Sequence, residues 1–255
     1  MSGPSGRVVA PAPAPFPGAT AVTGLRVYHW PAPDGLPGGS AHLHVLSTEA
    51  YLVQSGSGRV QTLSSTGYAE HDLRPGDALW FTPGTVHRLV NTGGDLRLTV
   101  VMANAGLPEA GDAVLTFPPD VLEDPERYAR AASLARDDRV YATDEAAARA
   151  RRDLAVEGYL VLRDRVLADG PAALDELYRA AAALVRRRLP AWRELLDTGP
   201  ATALRATDIA WGDLAAGGTG ALPAASVRRI DAPDDERLGM CGWLSTYETD
   251  SARTV

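Results

Sequence analysis

The chain contains no lysine: all 25 of its basic residues are arginine. That absence excludes Schiff-base chemistry on a lysine amine and a lysine general base, and leaves arginine as the group able to grip a carboxylate or phosphate. Cysteine is almost as scarce. Cys241 alone cannot close an internal disulfide or build a cysteine-rich zinc site, so a metal would have to be held by nitrogen and oxygen, in keeping with a reducing compartment. No run approaches the roughly 18 apolar residues of a membrane span. The opening MSGPSGRVVAPAPAPFPG also lacks the basic start and continuous apolar core of a secretory signal, so a cytoplasmic location without a membrane partner is expected. Positive charge is in deficit too: 25 basic against 32 acidic residues give a net charge of -7. Binding to a phosphate backbone needs clustered cations, so no nucleic-acid partner is expected.

What is present falls into three stretches. A chain of 255 residues can bury one substantial core plus a smaller unit. Residues 1–22 are rich in Pro, Ala and Gly and read as a flexible leader. Over 23–117, short apolar runs such as LRVYHW, AYLVQ, DALWF, HRLVN and LRLTVVM alternate with Gly, Pro, Asn and Asp, an all-β pattern at the spacing of a barrel or sandwich. After FPPD at 117–120 the composition swings to Ala, Leu, Arg, Glu and Asp, so 118–255 is expected to be mostly helical. Leu174, Leu177, Tyr178, Ala181, Leu184, Val185 and Leu189 form one apolar stripe, predicting a helix that ends near Pro190, with Arg186–Arg188 on its solvated face. The Gly-, Ala-, Thr- and Pro-containing stretch 198–225 reads as loop, and RLGMCGWLSTYET at 237–249 as a late strand that pairs with a barrel edge or with a partner subunit. No internal repeat points to a second barrel.

The most informative segment is GGSAHLHVLSTEAYLVQSG. Side chains of a strand alternate between faces, so His42 and His44 share one face, and Glu49 can return to it after a short turn, bringing three metal ligands together in one hairpin. His87 follows a turn at Pro83–Gly84 in PGDALWFTPGTVHRLVN. Each histidine taken alone reads equally as a buried, hydrogen-bonded side chain or an exposed strand residue. With Glu49 beside them, the set reads as a metal site.

Together these stretches resemble the paired motifs of the cupin superfamily. His42, His44, Glu49 and Gly56 match HxH, four residues, Glu, six residues, Gly; Gly76, Gly84, His87 and Asn91 match the second motif, except that Pro83 comes one place late, after Thr82. The resemblance spans roughly 25–117. It implies a cupin-type antiparallel β-barrel, or jelly roll, with the metal near its centre, and a homodimer. It also gives Gly56, Gly76 and Gly84 backbone conformations that a side chain forbids, and Asn91 a turn to hold. His29 and His71 fall outside both motifs and read as structural or exposed.

Three imidazoles and a carboxylate suit one divalent ion per chain, Fe(II), Mn(II), Ni(II), Co(II) or Zn(II). The expectation is a metal-dependent enzyme acting on a small oxygen-rich metabolite, a hydroxy acid, keto acid, enol or sugar. A non-haem Fe(II) dioxygenase leads, and a non-redox isomerase or lyase, or a metal-containing binding or sensor module, is the alternative. A storage-like cupin is less favoured, because it would not need all four ligands. Glu49 is the candidate base. Alternation from Glu49 puts Tyr51 and Val53 in the barrel interior, where Tyr51 either presents its hydroxyl to the site or fills the core. Tyr51, Gln61 and Trp80 are the candidate substrate-binding residues, the last two without an assigned facing. The helical region 118–255 reads as a lid over the barrel mouth or as a dimerisation element.

Overall fold

The computed structural model describes residues 16–134, 144–249 and 253–254; the first fifteen residues of the expected leader lie outside them. The strands are β1 (Ala21–Val27), β2 (His42–His44), β3 (Glu49–Ser55), β4 (Gly58–Ser64), β5 (Gly67–Leu73), β6 (Ala78–Phe81), β7 (Val86–Val90), β8 (Arg97–Met102) and β9 (Ala113–Leu115). Six α-helices follow among the described residues: α1 (Pro119–Leu122), α2 (Pro125–Ala132), α3 (Glu145–Asp169), α4 (Asp175–Val185), α5 (Leu189–Thr198) and α6 (Pro200–Ala215). Four short strands close the order: β10 (Arg228–Arg229), β11 (Arg237–Leu238), β12 (Gly242–Thr246) and β13 (Arg253–Thr254).

Two antiparallel sheets face each other, one in the order β11-β12-β1-β8-β3-β6 and the other β5-β4-β7-β2-β9. Alternation does the sorting. In β3, Glu49, Tyr51 and Val53 are buried while Leu52 and Gln54 point outward. Leu25, Val53, Val60, Leu89, Leu98 and Val100 fill the space between the sheets. The glycines expected at turns do take positive φ: +77° at Gly56, +92° at Gly76 and +88° at Gly84. Gly56 is doubly constrained, since a Cβ there would lie 2.5 Å from the Asp95 carbonyl oxygen. Asn91 holds its turn by donating to the Val27 carbonyl at 3.0 Å and accepting from the Leu96 N–H at 3.2 Å.

The helices cover the outer face of the five-stranded sheet. Leu43, Leu63, Val86 and Val114 on that face meet Tyr159 and Leu162 of α3 and Leu177 and Ala181 of α4 in a second apolar core. Helix and chain approach closely at Gly158, where a Cβ would fall 2.1 Å from the Thr116 carbonyl oxygen. Arg152 of α3, 1 % exposed, donates to the carbonyls of Trp30, Pro31 and Gly38. On the same loop, Arg88 of β7 grips Asp34 through both terminal nitrogens.

Three expectations change and a fourth, the late strand, is realised. β1 starts at Ala21, inside the stretch read as leader. The helix expected to run to Pro190 stops at Val185, passes through a 3-10 turn over Arg186–Arg188, and Pro190 opens α5, the position where its missing N–H costs nothing. The expected loop 198–225 contains the sixteen-residue α6, whose glycines and prolines cluster at or beyond its ends while Ala and Leu fill its body. None of its side chains is buried, so no apolar period marked it. The late strand lies at 242–246 and pairs with β1, Arg26 opposite Trp243, so residues far along the chain complete the first sheet.

Replacing Gly158 with Ala sets helix propensity, which favours Ala by about 1 kcal/mol, against overlap with backbone that has no room to yield. Overlap should win, and urea unfolding should show a net loss of about 2 kcal/mol.

Candidate metal centre

The four predicted ligands come together inside the barrel, but not in one hairpin. β2 and β3 belong to opposite sheets. The connection after His44 crosses between them, and Asp112 satisfies the exposed backbone by accepting from the N–H groups of Leu46 and Ser47 at 2.7 and 3.0 Å. The histidines therefore stand on the inner face of the five-stranded sheet, with His42 opposite His87 in the β2–β7 ladder, and Glu49 meets them from the facing sheet. A backbone bond from Gly84 N–H to the His44 carbonyl, 2.9 Å, ties the two motif segments together.

All four residues are buried, and one donor atom from each lies within 4.8 Å of the other three. Each imidazole has its outer nitrogen beside an acceptor: His42 Nδ1 is 3.2 Å from the Ser40 carbonyl, His44 Nδ1 3.2 Å from Asp112 Oδ2, and His87 Nδ1 3.0 Å from the Thr85 carbonyl. Such contacts place the N–H on Nδ1 and leave the Nε2 lone pair free to coordinate. Glu49 Oε2 lies 2.8 Å from His87 Nε2 and 3.4 Å from His44 Nε2. Yet among the described residues neither Glu49 Oε2 nor His87 Nε2 has a hydrogen-bond partner. Unsatisfied buried polar atoms are costly, and a cation supplies what is missing. Two donors each about 2.1 Å from one ion at right angles stand about 3 Å apart, the spacing seen here, so the residues fit a divalent metal.

The electrostatics agree. Burial would raise the Glu49 carboxyl, but His87 and His44 hold it well below the usual carboxylate range. Burial drives His42 well below its ordinary value, aided by its two histidine neighbours, keeping it neutral as a ligand must be. Burial opposes protonation of His44 as well, but Asp112 and Glu49 overcome it and push the pKa up to about 9, so an ion binding at its Nε2 would displace a proton. Two negative neighbours make His44 the most cation-favouring position of the cluster.

Other candidates are placed as follows. Tyr51 is fully buried on the Glu49 face, and its hydroxyl has no hydrogen-bond partner; burial, then the Glu49 carboxylate, pushes its pKa well above the ordinary phenol range. Gln61 is buried but faces the helices: its register partner is Arg88, and its amide bonds to Glu70. Thr62, the next residue, lies opposite His87. Trp80 sits opposite Ala50, on the alternate face from Glu49, and is 70 % exposed. Phe81 takes the inner position instead, its ring stacked on His87 at 4.6 Å and 1°. A one-residue difference in strand facing thus moves both Gln61 and Trp80 away from the ligands. His29 is exposed, as is His71, whose Nε2 lies 3.5 Å from Thr62 Oγ1.

Sequence reasoning missed Asp112, Phe81 and Cys241. Asp112 precedes β9, whose pairing with β2 sets Ala113 opposite His44, a register that no local pattern reveals. Cys241, pushed upward in pKa by burial, packs with Sγ 3.9 Å from His42 Nδ1, brought there by the late strand.

Substituting Asp112 with Asn should lower metal affinity by about tenfold or more through loss of His44 orientation, with circular dichroism unchanged. His42→Ala and His87→Ala should remove most bound metal in elemental analysis, whereas His71→Ala should leave it intact.

No helix among the described residues is long and apolar enough to cross a membrane. No curated protein matches the chain. Among solved structures, it is similar to a conserved protein with a double-stranded β-helix domain from Klebsiella pneumoniae, at 20 % identity over 33 % of this chain and 66 % of that one, TM-score 0.27. It is also similar to oxalate decarboxylase from Bacillus subtilis, at 19 % identity over 33 % of this chain and 20 % of the other, TM-score 0.29. A third is the TDP-quinovose 3,4-ketoisomerase from Campylobacter jejuni, at 19 % identity over 26 % and 52 %, TM-score 0.25. The chain thus spans less than two thirds of the length of these structures. The family model for the Cupin domain matches residues 32–102, the span that contains both motif segments and all four clustered donors. Two facing antiparallel sheets with those donors between them are the architecture that the motifs imply, and this part of the chain is a cupin domain.

Proposed function

We propose that the protein is a metal-dependent cupin enzyme acting on a small oxygen-rich metabolite, a hydroxy acid, keto acid, enol or sugar, at one divalent ion per chain held by His42, His44, Glu49 and His87. The observation that carries this reading is the convergence of four buried donors within 4.8 Å, two of them lacking any other partner. A structural metal is usually closed by protein ligands, but an octahedral ion held by these four donors would keep two positions for water or substrate.

When bound, Fe(II) would supply dioxygen chemistry and Mn(II), Ni(II), Co(II) or Zn(II) Lewis acidity, so dioxygenation is the leading assignment and isomerisation or lyase chemistry the alternative. The chain's own residues do the rest. Phe81, Met102 and Val100 wall the interior with apolar surface, which excludes water and strengthens electrostatic interactions at the site. Glu49 is the candidate base, and would take a proton from a substrate carbon or hydroxyl only on leaving the ion, which relieves the carboxylate of its ligand role. Tyr51, beneath it, keeps its proton and can donate to a developing oxyanion. Self-association as a homodimer belongs to the same proposal, supported by the exposed Leu204, Ile209 and Trp211 of α6.

The test is elemental analysis of anaerobically purified protein beside His44→Ala. About one equivalent of metal in the parent and little in the variant is expected. Iron directs the next assay to oxygen uptake, and manganese, nickel, cobalt or zinc to isomerase and lyase substrates. No metal in either sample would overturn the proposal.

A further inference from the structure

The two sheets do not join on one side: β6 ends the six-stranded sheet and β5 ends the five-stranded one. Between these edges opens a cleft of ≈ 540 Å³, within the size range of small-molecule sites. Thr62 and Phe81 line it, each 6 % exposed, and both adjoin His87, Thr62 as its register partner and Phe81 by ring stacking. The cleft is thus separated from a metal ligand by a single layer of side chains.

Its lining has a particular chemistry. Asp72 and Asp77 are its charged residues among those described, and no described arginine borders it. In a chain without lysine, arginine is the group that would hold a carboxylate or phosphate, so an anionic ligand would meet repulsion and no counter-charge. The polar groups are short and neutral: Thr62, Ser64, Thr66 and Thr85, with the His71 imidazole beside them. Thr62 Oγ1 is only loosely engaged, 3.4 Å from the Ala69 carbonyl and 3.5 Å from His71 Nε2, leaving both groups able to turn to a ligand. Trp80, at 70 % exposure, also lines the cleft, so a large indole face stands unburied beside a row of hydroxyls. An indole face is apolar and carries negative quadrupole charge, which suits the C–H face of a saturated ring.

We propose that this cleft is a ligand site for a neutral, hydroxyl-rich ring of monosaccharide size, its C–H face on Trp80 and its hydroxyls on Thr62 and His71. The site stands on the cleft; its role as a substrate site rests on the proposed metal-dependent activity and narrows that substrate class from oxygen-rich metabolites in general to uncharged sugars, away from carboxylic acids.

The full chain is titrated with methyl glucoside, methyl galactoside and methyl glucuronide by ligand-observed NMR, in metal-loaded and chelator-treated forms. A neutral glycoside should bind saturably in both forms and more tightly than the glucuronide. Trp80→Ala should weaken it by about tenfold, and His71→Ala should weaken it too, with metal content unchanged in both variants. Tighter binding of the glucuronide, unaltered affinity in Trp80→Ala, or no saturable binding of either neutral glycoside would overturn the proposal. Binding in the chelated form separates the two readings: a protein that binds glycoside but never takes up metal loses the enzymatic reading and keeps this site, and the converse result does the opposite.

Discussion

A carboxylate that is 6 % exposed inside an apolar barrel must be compensated, and the architecture around Glu49 is the compensation. It comes from the facing sheet, in the form of imidazoles whose outer nitrogens are already committed to Ser40, Asp112 and Thr85. Those commitments are made by strand ends and loops, so the geometry of the centre depends on how each strand is terminated as much as on the strands themselves. Asp112 shows this most clearly. One side chain orients His44 and also satisfies two backbone N–H groups where the chain crosses between sheets. Burial would raise its own pKa, but His44 and those N–H groups hold it down, so it stays anionic where the cation is wanted.

The helical region is joined to the barrel by charge as well as by apolar packing. Arg152 reaches out of α3 to three carbonyls of the 30–38 loop, and Arg88 secures the same loop through Asp34 from the outer face of the sheet. Guanidinium groups suit this use because they present several donors in a fixed plane and lose hydration less reluctantly than an ammonium. The loop leads directly into Ser40 and β2, so restraint applied by a helix on the outside reaches the inner face where His42 stands.

The sequence made the candidate ligands legible because both motifs are local: the alternation of a strand fixes His42 with His44, and turn glycines fix where His87 resumes. Gly56, Gly84 and Asn91 could be read for the same reason. What could not be read depends on register between distant segments. The two-sheet origin of the centre, the opposite facings of Gln61 and Thr62, and the roles of Asp112 and Cys241 all require knowing which strand lies beside which. The Gly-to-His turn also held despite the displaced Pro83, since Thr85 N–H still closes on the Thr82 carbonyl at 3.1 Å. α6 was hidden for a different reason. It buries no face, so its identity rests on propensity alone, which is a weaker signal than an apolar stripe.

The pairing of β12 with β1 has a consequence for the order in which the molecule is assembled. During synthesis β1 emerges early and finds β8 within about a hundred residues, but its other edge stays open until the segment at 242–246 has been made. A contact of such sequence separation is slow to form, and an open strand edge invites pairing with neighbouring chains on the same message. The same late segment delivers Cys241 to the back of His42, so the wall behind one metal ligand is finished only when that strand docks. The four clustered donors are therefore fully enclosed only once that late segment has docked, when the chain is also no longer exposed to association along its open edge.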